Sequence, residues 1–187
     1  MPSLRFLGEH GALAQALTTP GTAVHHLGNS GRVVVRNQTA SVLGWTCGNM
    51  VGRAQDVAQF FWDLLGPSGS RLLSEESLAF MRKYEPMTVG WGKLANVHYG
   101  AGLMAVQGAL KPGGPGADWG FYEGHGGATY GFTSSQGFIP KASAAFSLVT
   151  NTGAGKYSAV ATCRLLVALA ESRGERAELG CGEVLLV

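Results

Sequence analysis

The chain has 187 residues, 45% of them apolar and only 14% charged, with a formal net charge of +2. That length fits one domain burying roughly 70% of its unfolded surface, and the weak charge, with no block of like charges, argues against nucleic acid or an anionic membrane as partner. No run approaches the roughly 18 apolar residues of a membrane span, and Gly8, Glu9, His10 and Gln15 interrupt any signal-peptide core, so no leader is evident.

Residues 1–40 are poorly defined by pattern. Gly11 to Leu17 could form a short helix closed by Thr18-Thr19-Pro20-Gly21, and Val33-Val34-Val35 reads as a short strand. The body of the domain is expected over 41–173. Val57, Phe60, Phe61, Leu64 and Leu65 recur at helical spacing, with Asp56, Gln59 and Asp63 opposite, and Gly66-Pro67 stops that helix. Ser74 caps a second helix whose first turn carries Glu75 and Glu76, where the helix dipole favours acids. From Tyr99 the period changes. Residues 99–106, 129–139 and 144–150 read as strands, the last two joined around Pro140-Lys141. Ser158 to Ala170 is a broadly apolar helix that Gly174 ends, and such a helix normally lies on a sheet. Residues 174–187 form a tail with little pattern until Val184-Leu185-Leu186-Val187. Helices, then antiparallel strands, then a closing helix make an α+β fold.

Cys47, Cys163 and Cys181 are odd in number and lack Cys-x-x-Cys spacing. The expectation is buried free thiols, which favour an intracellular compartment over a disulfide framework or zinc site. The phosphate loop, the dinucleotide fingerprint, the Gly-x-Ser-x-Gly elbow and His-Glu-x-x-His all fail on these residues. The histidines His10, His25, His26 and His98 read as surface or turn residues, and neither a metal nor a cofactor is implied.

The most informative stretch is 122–132, Tyr-Glu-Gly-His-Gly-Gly-Ala-Thr-Tyr-Gly-Phe. Glycine inside a strand-like run lets another backbone or a ligand come close. Histidine is the one side chain that changes charge near neutral pH. Two readings stand: a strand edge facing a substrate, or a Gly-rich hairpin with one solvated histidine.

Three stretches, in order, resemble the C-terminal half of the serine β-lactamase and penicillin-binding-protein superfamily, above all its class C, carboxypeptidase and esterase-like branch. They are Gly44-Trp45-Thr46-Cys47-Gly48-Asn49-Met50-Val51 running through Asp56 to Phe61, then Leu72 to Leu78 with Tyr99-Gly100-Ala101-Gly102-Leu103, and then Gly124-His125-Gly126-Gly127 with Gly131-Phe132 and Ser147-Leu148-Val149-Thr150-Asn151. In many members of that branch a histidine replaces the lysine of the Lys-Thr-Gly box, and His125-Gly126-Gly127 is similar to that form. The resemblance implies a partial β-lactamase/transpeptidase-like fold, an antiparallel sheet packed on helices. It implies that His125, Gly126 and Gly127 bind a small-molecule or peptide substrate, and that a backbone N–H just after the box serves as an oxyanion donor.

The departures matter as much. Catalysis in this family uses Ser-x-x-Lys, yet no lysine here has a serine three positions earlier, and no tyrosine begins a Tyr-x-Asn box. No catalytic residue is therefore assigned. In the family both boxes lie upstream of the stretches matched here. The expectation is a hydrolase of the β-lactamase, D-Ala-D-Ala carboxypeptidase or esterase type, truncated and without its nucleophile. The alternative is a non-catalytic binding or interaction module built on that fold, and an unrelated Gly-rich α+β domain also remains open.

Overall fold

A computed structural model describes residues 5–6, 24–26, 32–34, 50–87, 97–107, 116–129, 132–151 and 157–181. Two small antiparallel pairs come from the N-terminal part. Strand β1 (Arg5–Phe6) pairs with β4 (Met50–Val51), and β2 (Val24–His26) pairs with β3 (Arg32–Val34). The expected helix at 11–17, Cys47 and the expected strand at 184–187 lie outside the described residues.

Helix α1 (Ala54–Leu65) buries Phe61, Leu64 and Leu65, the apolar stripe read from their spacing, and Gly66 caps it by donating its N–H to the Trp62 carbonyl. Helix α2 (Glu75–Met81) starts at Ser74, whose hydroxyl accepts from the Ser77 amide at 3.2 Å. The cap answers one of the orphan amides of the first turn.

The remaining strands form one antiparallel sheet in the order β10-β9-β8-β7-β6-β5. In chain order they are β5 (Glu85–Pro86), β6 (Val97–Tyr99), β7 (Met104–Gln107), β8 (Phe121–Thr129), β9 (Phe132–Ile139) and β10 (Ala144–Thr150). Helix α3 (Tyr157–Ser172) closes the fold against β9 and β10. The architecture is α+β, as expected.

Two strand boundaries correct the sequence reading. The strand expected over 99–106 is a hairpin. Gly100 N–H donates to the Leu103 carbonyl at 2.8 Å, and Gly102 holds φ at +75°, a conformation that only glycine adopts cheaply. The strand expected from Thr129 begins instead at Phe132; Thr129 ends β8 and pairs with Phe132.

Alternation gives the sheet two unlike faces. One carries Val97, Met104, Val106, Tyr122, Ile139 and Phe146 into the main core with Cys163, Leu166 and Ala170 of α3. The other carries Phe138 into a smaller core with Phe61, Leu64, Leu65 and Leu78 of α1 and α2. Glu123 and His125 belong by register to this second face, away from α3.

The cysteine reading is overturned. Cys163 of α3 and Cys181 are joined in a disulfide, so the free-thiol argument for an intracellular compartment falls. Residues after α3 are tied in by more than this bond. Ala177 and Leu179 are buried in the main core, and the fully buried Trp119 donates its indole N–H to Glu175 at 2.9 Å. Lys141, in the β9–β10 turn, bridges Asp118 at 2.9 Å and Glu175 at 3.2 Å. The lysine draws the Asp118 carboxyl below its ordinary value. For Glu175 the indole hydrogen bond is the largest cause of the same lowering, followed by Lys141.

Candidate functional site

The ribbon 124–129 is neither a solvent loop nor packed beneath the terminal helix. It is the second half of β8, and its two edges differ. On one side the whole strand pairs with β9, from Glu123↔Phe138 to Thr129↔Phe132. On the other side β7 pairs only with residues 121–124, ending at Met104↔Gly124. From His125 to Thr129, no strand among the described residues pairs with that side of β8. Among the described strands, β8 is therefore flanked on both sides at its start and on the β9 side alone from the histidine onward.

Local close packing explains the glycines. Gly124 stands directly across from Gly137. A Cβ on Gly124 would lie 2.0 Å from the Gln136 carbonyl oxygen, and one on Gly137 would lie 2.2 Å from the Glu123 carbonyl oxygen. Two bare positions let β8 and β9 come this close. At Gly127 a Cβ would meet only the Ser134 hydroxyl, at 2.9 Å.

The end of α2 organises what surrounds His125. Glu123, two residues earlier on the same face, is 7% exposed. Its carboxylate accepts from Arg82 Nε at 2.8 Å, from Arg82 Nη2 at 2.6 Å and from the Tyr84 hydroxyl at 2.7 Å. This two-pronged guanidinium–carboxylate geometry is the strong kind of charge-assisted bond. The carboxylate in turn holds the Arg82 guanidinium above its already high ordinary value. Burial, with Glu123 beside it, pushes the Tyr84 hydroxyl far above the phenol range, so it stays a donor. The same helix end grips the β6–β7 hairpin. Ala101 N–H donates to the Met81 carbonyl at 3.1 Å, and a Cβ on Gly100 would lie 1.9 Å from that oxygen. This close approach accounts for the first glycine of Tyr99-Gly100-Ala101-Gly102.

One consequence is the placing of Tyr99. It belongs by register to the α3 side of the sheet, yet its hydroxyl lies 2.8 Å from His125 Nε2, past the last β7–β8 pair. The rings meet edge to face with centroids 5.6 Å apart. The other ring nitrogen, Nδ1, lies 2.5 Å from the Gly126 carbonyl oxygen. His125, Gly126 and Gly127 thus stand together where β7 no longer flanks β8, with Gln136 and Ser134 in register beside His125 and Gly127. His98, expected at a surface or turn, is a half-buried residue of β6.

Sequence reasoning missed Tyr99 as the histidine's partner, and it missed Arg82, Tyr84 and Glu123 altogether. A signal for the second group was present: a lone glutamate in an apolar strand must find a cation if it faces inward. No comparable signal links Tyr99 to His125, which are 26 positions apart.

No known family model matches the chain, and no curated protein matches it. Solved structures share its fold, among them two amide-hydrolysing enzymes. The D-stereospecific amidohydrolase from Streptomyces sp. superposes with a TM-score of 0.58 and 23% identity, over 78% of this chain and 39% of that one. The D-amino acid amidase from Ochrobactrum anthropi SV3, solved with L-phenylalanine amide, gives 0.58 and 20% over 94% and 48%. This chain therefore spans less than half the length of either enzyme. At such identity the likeness is one of fold: part of a β-lactamase-like α+β domain.

Proposed function

We propose that this chain carries the substrate-binding strand of a serine hydrolase of the penicillin-binding-protein and β-lactamase superfamily, in its class C-like, histidine-box branch. The substrate is a small amide, ester or D-configured peptide, and the attacking hydroxyl comes from outside these 187 residues. The observation that carries this reading is the half-flanked strand: β8 loses its β7 partner at the histidine that the family resemblance singles out. An extended ligand adds to such an edge through main-chain hydrogen bonds. Gly126 and Gly127 keep side chains off its path, and His125 supplies a ring at its entrance. The names of the two fold neighbours favour amides of D-amino acids as substrate class.

Without Ser-x-x-Lys and Tyr-x-Asn these residues form no acyl-enzyme, so fluorophosphonate and penicillin probes leave the chain unlabelled. The gene supplies the test. A longer reading frame with Ser-x-x-Lys and then Tyr-x-Asn upstream of Met1 supports the hydrolase reading. An in-frame stop immediately before Met1 favours the second reading, a non-catalytic module that uses the same edge to bind a peptide. Covalent labelling of the 187-residue chain by either probe would refute both.

A further inference from the structure

We propose that Tyr99 is the positioning residue for His125, fixing both the tautomer and the direction of its imidazole. The catalytic meaning of the pair rests on the site reading above, but its geometry stands by itself.

The argument is one of donor and acceptor inventory. The Gly126 carbonyl oxygen, 2.5 Å from Nδ1, can only accept, so Nδ1 carries a hydrogen. In the neutral ring Nε2 then bears a lone pair, and the group 2.8 Å away that can donate to it is the Tyr99 hydroxyl. A solvated imidazole prefers the opposite form, with the hydrogen on Nε2. The two contacts together reverse that preference. When the ring takes up a proton from solvent, the proton enters at Nε2 and the bond reverses: Nε2–H donates and the phenol oxygen accepts. A hydroxyl serves both states, so the ring keeps its direction through the change of charge. A phenylalanine at 99 would keep the edge-to-face ring contact and lose this ability.

Tyr99 is itself held firmly enough to act in this way. Its backbone pairs with Glu85 on one side and Met104 on the other, and its ring packs against the main core. The following Gly100 and Ala101 lie against the end of α2. That helix end also anchors Glu123, two residues before His125. Both members of the pair are thus referenced to one point in the fold. The second-neighbour hydrogen bond that sets a histidine's tautomer is a recurrent device where an imidazole must act in one orientation.

The test is long-range proton–nitrogen NMR on the 187-residue chain with labelled histidine, at alkaline pH, with His125 assigned by H125Q. The wild-type ring is expected in the Nδ1–H form. In Tyr99→Phe the ratio of Nδ1–H to Nε2–H should fall about fivefold, the worth of one ordinary hydrogen bond. An Nε2–H ring in the wild type, or a ratio unchanged in Y99F, overturns the proposal. Should Y99F not fold, the wild-type tautomer decides. No ligand is needed, so a ring in the Nδ1–H form on a chain that ignores amide ligands keeps the pair and removes only the hydrolase reading.

Discussion

The clamp between α2 and β8 makes an asymmetric prediction. Removing Arg82 leaves a carboxylate whose side chain is 9% exposed with, among the described residues, only the Tyr84 hydroxyl to bond it, whereas removing Glu123 leaves a guanidinium that is 38% exposed and can be hydrated in place. Breaking a buried pair from the side that strands a charge costs about 3–5 kcal/mol. The outer half of this pair is wet, which lowers the estimate for Arg82→Ala to about 3 kcal/mol. Glu123→Ala forfeits charge-assisted hydrogen bonds and leaves the Tyr84 hydroxyl without its acceptor, but strands no charge, for about 1–2 kcal/mol. The double variant should cost less than the sum, because each change removes the same interaction. Urea unfolding of the four proteins, followed by circular dichroism, measures all three numbers. Glu123→Ala costing as much as Arg82→Ala, or strict additivity, would refute the assignment of Glu123 as the buried, dependent partner.

Three further outcomes are expected. Replacing Cys163 and Cys181 with serine opens a link between residues 18 apart; it should cost about 3 kcal/mol in urea unfolding while the His125 ring signals hold, because α3 lies on the other face of the sheet. Gly124→Ala places a methyl 2.0 Å from the Gln136 oxygen, and the overpacking should lower stability by about 1–3 kcal/mol, a loss that an unchanged thermal midpoint would contradict. Lys141→Met should reduce stability in a pH-dependent way. Asp118 and Glu175 titrate below their ordinary 3.8 and 4.5, so their part is present above those values and is lost as acid takes the pH through the lowered ones. Lys141 titrates above its ordinary 10.5, so its part is full below that value and is lost as the pH rises through the raised one. The wild-type advantage should therefore be flat between those limits and fade on either side.

What the sequence made legible was whatever depends on neighbours along the chain. The stripe Val57 to Leu65 and the Ser74 cap define α1 and α2 because helical periodicity and capping act within a turn or two. The glycines of the Gly-His-Gly-Gly run signalled a close backbone approach because bare positions in a strand record one, here that of β9 at Gly137. Legibility ended where distant positions meet. Tyr99-Gly100-Ala101-Gly102 looks like a strand until it is known that Met81 presses on Gly100 and that Gly102 turns through positive φ. The cysteines carried no spacing signal, since a bond across 18 residues depends on where α3 lies. That β7 flanks only the first half of β8 follows from the brevity of β7, a property of the sheet rather than of any stretch of residues.

The central claim is that the side of β8 that β7 leaves uncovered, from His125 to Thr129, receives an extended ligand. The most direct measurement is a titration of the nitrogen-15-labelled chain with D- and L-phenylalanine amide and with an acyl-D-Ala-D-Ala peptide, following backbone amides. The account predicts saturable shifts concentrated at His125, Gly126, Gly127 and their β9 neighbours Ser134 and Gln136, with α3 unmoved. No shifts, or shifts centred on α3 or the disulfide, would contradict it.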